Sequence, residues 1–353
     1  MRKIRVLVVD DSAIVRRAVS DELALDPEIE IAGTASNGQI ALARMTQVNP
    51  DFVLLDVEMP VLDGLKTLAE LKKTHRSIPV MMFSSLTERG ADATLDALML
   101  GAAGYFTKPN SGGIEESRRI IREQLLPQIK AICAANLAKS APARPADTPV
   151  SPLPRPTPSG VVDIVAIGVS TGGPNALLEL FRNMPADLPV PIVIVQHMPP
   201  VFTKQLANRL TANSKIVVEE ATSGAMLEPG RAWIAPGDSH MTVVRQGLRQ
   251  IIVLDKEPQE NSCRPSVDPL FRSVAKVFGG QTLAIIMTGM GSDGLRGCEA
   301  IKAMGGQVLI QDEATSVVWG MPGNVSRAGL ADKVIPLALI GPEIVRRVLR
   351  TKD

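Results

Sequence analysis

The sequence predicts an α/β protein with two doubly wound domains, and three observations support this prediction. Its 353 residues exceed the length of most single domains. Short apolar runs alternate with amphipathic stretches on both sides of a proline-rich segment. Runs that are apolar on both faces and separated by helices indicate a parallel sheet covered on both sides. We predict domains at residues 1–130 and 161–353, joined by a linker at residues 131–160.

The first domain is predicted to alternate strands with helices. Strands are expected at the apolar runs of residues 4–9, which is broken only by Arg5, and of residues 52–55 and 78–83. Helices are expected where apolar residues recur at helical spacing, at residues 13–25, 40–48, 65–73 and 92–100. This order is that of a doubly wound sheet.

Residues 140–160 differ in composition, because they contain seven prolines and almost no large apolar residue. Such a segment buries too little apolar surface to offset its ordering entropy, so we predict an extended linker. In the second domain, strands are predicted at residues 161–167, 190–195 and 282–287, and helices at residues 176–181, 202–210 and 270–278. A β-hairpin is predicted within residues 241–254, as an addition to this second sheet.

The composition excludes several classes of partner. The formal net charge of +1 gives no general attraction to nucleic acids or anionic membranes. Three cysteines far apart indicate neither a disulfide framework nor a zinc site. The first apolar run ends at Asp10 and is too short for a signal peptide or a membrane span. We therefore expect a cytoplasmic protein that binds no nucleic acid and does not insert into membranes.

Polar side chains follow the predicted strands of the first domain. Asp10 and Asp11 follow the first strand, Asp56 the second and Ser84 the third, while Lys108 comes after an aromatic pair. Because ligands of open parallel sheets bind beyond the carboxyl ends of the strands, we expect these side chains to converge. Clustered carboxylates suit Mg²⁺, and a metal with a lysine would offset the charge of a transferred phosphoryl group. An N-cap alone would account for a single one of these acids.

The motifs around these residues resemble the response-regulator receiver family. They are Val8-Val9-Asp10-Asp11-Ser12, Leu55-Asp56-Val57-Glu58-Met59-Pro60-Val61-Leu62-Asp63-Gly64 and Thr107-Lys108-Pro109. The resemblance implies a flavodoxin-like receiver in which Asp56 is the phosphoacceptor and Lys108 contacts the phosphoryl group. It also implies a Mg²⁺ site formed by Asp10, Asp11 and Asp56, and a histidine kinase as phosphodonor.

A switch pair is implied by the same resemblance. Ser84 and Tyr105 are similar to the hydroxyl and the aromatic ring that rearrange in receivers on phosphorylation. Many receivers have threonine where Ser84 stands, and Ser85 is adjacent, so this sequence departs slightly from the family pattern.

A candidate nucleophile lies at the end of the first predicted strand of the second domain. Gly168-x-Ser170-x-Gly172 follows this strand and precedes a helix, which matches the nucleophile-elbow pattern. Free amides at the helix start can bind a developing oxyanion. A glycine-rich turn in this place can also bind a phosphate or a dinucleotide.

A catalytic serine needs a base, and the sequence has three histidines. His75 lies in a polar stretch and is predicted to be a surface residue. His197 and His240 both follow predicted strands, and His197 is the favoured base beside the candidate elbow.

The third member of a triad is a carboxylate that orients the imidazole. Asp293 follows a predicted strand through a glycine-rich turn like that at Ser170, and we favour it. Asp238 and Asp312 compete for this role, whereas Asp268 is interpreted as the N-cap of the helix at residues 270–278.

Four motifs of the second domain resemble the chemotaxis protein-glutamate methylesterase/glutamine deamidase family, CheB. They are Ile167-Gly168-Val169-Ser170-Thr171-Gly172-Gly173, Gln196-His197-Met198-Pro199, Cys263-Arg264-Pro265-Ser266-Val267-Asp268 and Thr288-Gly289-Met290-Gly291-Ser292-Asp293-Gly294. The resemblance implies a Rossmann-like catalytic domain in which Ser170, His197 and Asp293 are nucleophile, base and orienting acid. Thr171 and Met290 match positions near the reacting carbonyl. The motif at Cys263 is part of the resemblance, but no mechanism follows for it.

The same resemblance implies the reaction and its control. The expected substrates are glutamyl γ-methyl esters and glutamines of methyl-accepting chemotaxis receptors, hydrolysed without a cofactor in this domain. Phosphorylation of the receiver is expected to activate the hydrolase by loosening a contact that partly covers the active-site face.

Two other classes of protein compete with this interpretation. A transcription regulator would also join a receiver to an output domain, but that output would be basic and contain a helix-turn-helix. Neither the net charge nor the α/β alternation after residue 161 favours it. A nucleotide-binding module would account for residues 168–173 but not for His197 and Asp293 at neighbouring strand ends.

Overall fold

The computed structural model describes residues 2–109, 113–140 and 160–349. The chain divides into two compact units, Met1–Pro142 and Ala143–Asp353. Each unit contains its own parallel sheet with helices. The seven prolines of the predicted linker lie outside the described residues.

The first unit is a five-stranded α/β domain. Its strands are β1 (Ile4–Val9), β2 (Ile29–Ala35), β3 (Phe52–Asp56), β4 (Val80–Ser84) and β5 (Gly104–Thr107). Its helices are α1 (Ala13–Leu23), α2 (Gly38–Val48), α3 (Gly64–Thr74), α4 (Glu88–Met99), α5 (Gly113–Ile120) and α6 (Leu126–Ser140), with a π-helical turn at Ile121–Leu125. All strand pairs are parallel in the order β2-β1-β3-β4-β5, which is the flavodoxin-like order. The fold class predicted for this domain is confirmed.

Helix α6 changes the start of the predicted linker. Residues 131–140 were expected to belong to the linker, but the structure places them in α6, within the first compact unit. The physical reason is apolar packing, because Ile129, Ile132 and Cys133 on this helix are at most 4% exposed. Burial of these apolar side chains stabilises α6. The proline-rich composition from which the linker was predicted belongs to the residues that follow the helix.

The second unit is a seven-stranded α/β domain with an additional hairpin. Its strands are β6 (Ile164–Val169), β7 (Ile192–Gln196), β8 (Val217–Glu220), β9 (Arg231–Ile234), β10 (His240–Gln246), β11 (Arg249–Asp255), β12 (Thr282–Ile286), β13 (Gln307–Gln311) and β14 (Lys333–Ile335). Its helices are α7 (Gly173–Arg182), α8 (Phe202–Ala212), α9 (Val267–Phe278), α10 (Leu295–Ala303), α11 (Met321–Arg327) and α12 (Leu337–Leu349), with a 3₁₀ turn at Gly279–Gln281.

The central strands of this second sheet place the candidate catalytic residues. The sheet is parallel throughout, in the order β14-β13-β12-β6-β7-β9-β8. Strand β6 is followed in sequence by β7 on one side, and β12 lies on its other side, so the topology switches beside β6. Ligand sites of doubly wound sheets lie at the carboxyl ends of the strands at such a switch point.

The predicted hairpin is present, but it does not extend the seven-stranded sheet. Strands β10 and β11 form a separate antiparallel pair, joined at Gly247, whose φ of +61° suits a tight hairpin turn. The hairpin packs on α9 instead, where the backbone amide of Val243 donates to the Ser273 hydroxyl at 2.9 Å. Val243 and Ile252 are buried in the same apolar cluster as Val274 of α9.

None of the described helices is both long enough and apolar enough to cross a membrane.

Candidate active site

The first unit brings Asp10, Asp56 and Lys108 together at the carboxyl ends of its strands. Asp10 follows β1, Asp56 ends β3, and Lys108 follows β5. The ammonium of Lys108 lies 2.8 Å from one carboxylate oxygen of Asp10 and 2.8 Å from one of Asp56. Both carboxylates are at most 4% exposed. This convergence is the one predicted from the strand ends.

Burial dominates the electrostatics of this first site. Desolvation raises the pKa of Asp56 from 3.8 to about 6, although the hydrogen bond and charge of Lys108 oppose it. The negative charge of Asp10 adds to the rise. Burial lowers the pKa of Lys108, but the two carboxylates outweigh it and the net shift is upward. Lys108 therefore stays charged while Asp56 gains proton affinity.

Three carboxylates of this site are close enough to share one cation. Asp10, Asp11 and Asp56 each offer an oxygen, and these oxygens all lie within 4.8 Å of one another. Asp10 and Asp56 are buried, whereas Asp11 is exposed to solvent. A hard divalent cation such as Mg²⁺ prefers oxygen ligands and keeps several waters, which suits a site that is open on one side.

The predicted switch residues lie on the neighbouring strands β4 and β5. Ser84 is fully buried, and its hydroxyl donates to the Gly90 carbonyl at 3.2 Å. Tyr105 is half-buried on β5, and burial raises the pKa of its phenol. Ser84 pairs with Thr107 and Tyr105 with Met82, so the two residues are two positions apart in the register of neighbouring strands, and their rearrangement stays a prediction.

In the second unit, Ser170 lies in the turn between β6 and α7. Its amide donates to the Thr288 carbonyl at 3.0 Å, and its carbonyl accepts from the Gly173 amide at 2.8 Å. Gly172 has a φ of +79°, which suits glycine. A Cβ on Gly289 would lie 2.8 Å from the Ser170 Cβ, so a side chain at residue 289 would displace the serine.

His197 is the first residue beyond β7, and it is the strand-end neighbour of Ser170. Val169 pairs with Gln196 in the sheet, and the His197 amide donates to the Val169 carbonyl at 3.2 Å. Adjacent strands lie about 5 Å apart, so the two main chains are close at this point. The side-chain amide of Gln196 joins them, because it donates to the carbonyls of Ser170 at 3.0 Å and His197 at 3.2 Å.

Asp293 and His197 form the pair predicted from the sequence. Nε2 of His197 donates to Oδ2 of Asp293 at 2.7 Å, and the side chains are 13% and 3% exposed. Asp293 accepts five further hydrogen bonds of 2.7–3.2 Å, from Asn261 Nδ2, Ser266 Oγ and the amides of Val267, Asp268 and Gly294. Burial raises the pKa of Asp293, but the donors, His197 first among them, hold it below its usual value.

The other nitrogen of His197 faces a thiol and not the serine. Burial lowers the pKa of His197, but the contacts with Asp293 and Cys263 together outweigh it, and the net pKa is well above the ordinary 6.5. Nδ1 lies 3.6 Å from Sγ of Cys263. The hydroxyl of Ser170 makes no hydrogen bond to any residue within 2–109, 113–140 or 160–349. The structure therefore contains the predicted imidazole–carboxylate contact but not the hydroxyl–imidazole contact.

Two backbone amides beside Ser170 are free to bind an anion. The amides of Thr171 and Met290 donate to none of the described residues. Both residues are half-buried, and the Thr171 carbonyl accepts from the Thr288 hydroxyl at 2.9 Å, which orients this turn. Unpaired amides at the start of a helix can stabilise negative charge.

Residues 165–344 match the family model described as CheB methylesterase, and residues 6–118 match the response regulator receiver domain. The protein-glutamate methylesterase/protein-glutamine glutaminase of Trichodesmium erythraeum is 52% identical, over 99% of this chain and 100% of that protein. The protein of the same name from Nocardioides sp. is 47% identical, over 100% and 97%. The crystal structure of the Thermotoga maritima CheB methylesterase catalytic domain is 43% identical, with a TM-score of 0.52, and covers 52% of this chain and 98% of that one. This chain belongs to the CheB methylesterase family.

Membership of the CheB family confirms the resemblance and the enzyme class predicted from the sequence, at the level of the family. It also confirms the combination of a receiver domain with a catalytic α/β domain. A transcription regulator and a nucleotide-binding module are thereby excluded as the class of this chain. The roles of individual residues rest on the geometry.

One residue interpretation from the sequence is wrong. Asp268 does not cap a helix, because α9 begins at Val267 and Ser266 occupies the N-cap position. Asp268 lies in the first turn, where its carboxylate accepts from the Gly297 amide at 2.7 Å and from Asn261 at 2.9 Å. The error arose because the start of the helix was placed three residues too late.

The competing side chains have other partners. Asp238 forms an ion pair with Arg264, with a shortest distance of 2.6 Å. Asp312 accepts from the amide of Thr315 at 3.1 Å. His75 is the C-cap of α3 in the first unit. None of these contacts involves His197.

Sequence reasoning missed the side chains that surround the triad. Asn261 and Ser266 both donate to Asp293, Cys263 faces His197, and His240 is 2% exposed with partners at both ring nitrogens. The available signal was the motif beginning at Cys263, which the CheB resemblance included without a role.

Proposed function

We propose that this chain hydrolyses glutamyl γ-methyl esters and deamidates glutamines of chemoreceptors, with Ser170 as nucleophile and His197 as base. The observation that carries the proposal is the His197–Asp293 pair of 2.7 Å beside a serine at a strand-to-helix turn. The names of the relatives from Trichodesmium erythraeum and Nocardioides sp. include both activities. Methyl-accepting chemotaxis receptors as substrates follow from the CheB family.

The base nitrogen in this proposal is Nδ1 of His197. Because Nε2 donates its proton to Asp293, Nδ1 carries the free lone pair of the neutral ring. Asp293 cannot accept further protons readily, since its pKa is lowered, and it remains the anion that stabilises the imidazolium. The usual assignment of the two ring nitrogens in serine hydrolases is thus exchanged.

The chemical steps follow the acyl-transfer route. His197 removes the proton of Ser170 as Oγ bonds to the γ-carbonyl carbon, and the oxyanion accepts from the amides of Thr171 and Met290. The C–O bond to methanol breaks, and methanol takes the proton from His197. Water then attacks the acyl-serine with His197 again as base, the C–Oγ bond breaks, and Oγ of Ser170 takes the proton from His197 as the glutamate side chain is released. A glutamine side chain loses ammonia in the same way.

A rearrangement must bring Ser170 to Nδ1, because Cys263 occupies that side of the ring. Catalytic hydrogen bonds are often formed only when substrate binds. A second candidate nucleophile is Cys263 itself, which the distance of 3.6 Å to Nδ1 favours. Ser170 is preferred, because it lies beside the free amides of Thr171 and Met290.

Methanol release from a methylated receptor tests the nucleophile. We expect Ser170→Ala to lower kcat by at least about a thousandfold, as removal of a nucleophile does. We expect Cys263→Ala to retain activity within about tenfold. The reverse result would make Cys263 the nucleophile, and tryptophan fluorescence of both variants controls for folding.

We further propose that phosphorylation of Asp56 by a histidine kinase activates the hydrolase. Asp10, Asp11 and Asp56 would hold Mg²⁺, which would offset charge on the phosphoryl group, and Lys108 would contact that group. Ser84 and Tyr105 would respond as the switch pair. In this proposal the receiver unit extends through α6 to residue 140, the linker takes up residues 141–160 and the hydrolase residues 161–353, in the cytoplasm.

A small-molecule phosphodonor tests this control without a kinase. With Mg²⁺ present, we expect acetyl phosphate to increase methanol release by the whole chain. We expect no increase in Asp56→Asn, and none for the wild type when the metal is chelated. Stimulation that persists in Asp56→Asn would place the control elsewhere.

A further inference from the structure

The segment of residues 258–266, here called the clamp segment, connects β11 to α9 and has no part in the proposed chemistry. It contains the residues that the CheB resemblance left unexplained. Its side chains contact both Asp293 and His197. Four observations define how it is built.

The tip of the clamp segment is a tight turn. Glu260 and Cys263 exchange two backbone hydrogen bonds, of 3.2 and 3.0 Å. Between them, Asn261 and Ser262 have φ values of +54° and +60°. Two successive positive φ values are characteristic of a type I′ turn, in which asparagine is favoured. The turn therefore fixes where the side chains of Asn261 and Cys263 point.

The side chain of Asn261 joins two buried carboxylates. Its Nδ2 donates to Oδ1 of Asp293 at 2.8 Å and to Oδ2 of Asp268 at 2.9 Å. Asp268 and Asp293 are 1% and 2% exposed. Two like charges at this depth repel each other, and a shared donor between them offsets part of that repulsion.

The ends of the clamp segment meet at a single histidine ring. His240 is 2% exposed, and its Nε2 donates to the Pro258 carbonyl at 3.1 Å. Its Nδ1 accepts from the Ser266 amide at 3.2 Å. A carbonyl can only accept and an amide can only donate, so the ring is neutral with its proton on Nε2. Ser266 in turn donates through its hydroxyl to Asp293 at 2.8 Å.

Two ion pairs hold the clamp segment from outside. Glu260 pairs with Arg272 of α9, with distances of 2.7 and 2.6 Å. Arg264 pairs with Asp238, at 2.6 and 3.1 Å. The Arg272 pair is bidentate, with one nitrogen on each oxygen of Glu260, and such pairs restrict orientation more than single contacts do. Both Arg264 nitrogens donate to the same oxygen, Oδ1 of Asp238. The segment is thus fixed at its tip, its ends and its outer side.

We propose that the clamp segment is a positioning device for the triad, in which Asn261 fixes the Asp293 carboxylate and His240 fixes the segment. Asp293 then holds Nε2 of His197, so that Nδ1 is the nitrogen left for the proton of Ser170. His240 and Asn261 are positioning residues, since neither contacts the reacting atoms. The expected effect of this inference on kcat rests on the proposed function, whereas its expected effect on the position of the His197 ring does not.

Asn261→Gly is the decisive variant, because glycine accepts the positive φ and the whole side chain, with its amide donor, is removed. A hydrogen bond to a charged group contributes enough that we expect kcat to fall about 10- to 100-fold. We expect KM to change by less than about twofold. Ser262→Gly is the matched control at the adjacent turn position, and we expect its kcat to stay within about twofold of the wild type. An unchanged kcat in Asn261→Gly, or an equal loss in Ser262→Gly, would overturn the proposal.

Asn261→Asp separates the donor from the shape of the side chain. The new carboxylate would face two others, so we expect a lower kcat than in Asn261→Gly at pH 8. As the pH falls and the new carboxyl takes up a proton, it becomes a donor. We therefore expect the ratio of kcat for Asn261→Asp to kcat for Asn261→Gly to rise as pH falls. A ratio independent of pH would contradict a donor role, and it would show that Asn261 acts only by its size.

Nuclear magnetic resonance of the histidine rings tests the positioning without measuring activity. The sequence has three histidines, so ¹⁵N-labelled histidine gives three ring systems, assigned with His75→Gln and His240→Gln. In the wild type we expect the ¹⁵N chemical shifts of the His240 ring to be those of the Nε2–H tautomer. In Asn261→Gly we expect the ¹⁵N chemical shifts of the His197 ring to change. Unmoved His197 signals would refute the clamp even if Ser170→Ala abolished activity. If instead Ser170→Ala stayed active while the signals moved, the proposed function would fail and the clamp would stand.

Discussion

Asp56 and Asp293 are both buried carboxylates that each contact one basic side chain, yet their pKa values shift in opposite directions. They are 3% and 2% exposed. Lys108 lies 2.8 Å from Asp56, and His197 lies 2.7 Å from Asp293. The pKa of Asp56 rises to about 6, whereas that of Asp293 falls below its usual value. Burial depth and partner distance are similar, so they do not account for the difference.

The difference lies in the hydrogen-bond donors around each carboxylate, together with the negative charge of Asp10, which raises the pKa of Asp56. Apart from Lys108, Asp56 accepts only one bond from the described residues, a long one of 3.4 Å from the Glu58 amide. Asp293 accepts five bonds besides that of His197. Donors that replace water remove the cost of burying a charge. A carboxylate that must react keeps free lone pairs, whereas one that must orient a ring has its lone pairs occupied.

The largest expected effect concerns the orienting carboxylate. Asp293→Asn should lower kcat for methanol release about 10³- to 10⁴-fold, because the amide cannot stabilise the imidazolium of His197 and favours the wrong ring tautomer. Far-ultraviolet circular dichroism serves as the control for folding. A kcat within tenfold of the wild type would mean that Asp293 has only a structural role.

The second prediction is that Asp293→Asn, which removes the charge of the carboxylate, also destabilises the second unit. Oδ1 of Asp293 accepts four hydrogen bonds and Oδ2 accepts two. In asparagine an NH2 group, which can only donate, replaces one of these oxygens and would face a donor in either orientation. We expect Asp293→Asn to lower the free energy of unfolding by about 3 kcal/mol or more. Both tryptophans of the sequence, Trp233 and Trp319, lie in this unit, so urea unfolding followed by tryptophan fluorescence measures it. An unchanged midpoint would contradict the argument from donors.

The third prediction is that removal of the Asp56 charge stabilises the first unit, which is the opposite of the effect expected at Asp293. The folded state holds the proton of Asp56 between pH 3.8 and about 6, so its stability falls as pH rises through this window. Asn cannot ionise, and Asp56→Asn should therefore stabilise the unit above pH 6, by up to about 3 kcal/mol from a shift of about two pKa units. Both tryptophans lie in the second unit, so an unfolding transition that appears in circular dichroism but not in tryptophan fluorescence reports the first unit. The measurement is made in a buffer with EDTA. Destabilisation would show that the Lys108 contact outweighs burial.

The sequence was sufficient for the parts of both sites that strand ends determine. Asp10, Asp56, Ser170 and His197 each follow or end a buried parallel strand, and register in a sheet fixes neighbouring strand ends without knowledge of the loops. Strand β2 (Ile29–Ala35) was missed because its central residues are only half-buried and give no continuous apolar run. Periodicity thus identified the central strands better than this edge strand.

The surroundings of the triad were beyond the reach of the sequence for a different reason. Asn261, Cys263 and Ser266 are close to His197 and Asp293 only through the path of a loop with two positive φ values. No periodicity describes such a path, and side-chain contacts depend on rotamers that spacing does not fix. For the same reason the sequence predicted Ser170 beside the imidazole of His197, where the structure has Cys263.

The smallest expected effect is the pH dependence of the hydrolase, which measures how strongly Asp293 acts on His197. The base must be unprotonated, and the contacts with Asp293 and Cys263 together raise the pKa of His197 well above 6.5. kcat/KM should therefore still rise with pH between 6.5 and 7.5, by about tenfold, where an unperturbed histidine would already level off. Methanol release at each pH, corrected with Ser170→Ala for uncatalysed ester hydrolysis, gives this profile. A profile that levels off near pH 6.5 would mean that His197 has an ordinary pKa, because the donors around Asp293 offset most of its negative charge. The contrast with Asp56 would then be larger than the structure indicates.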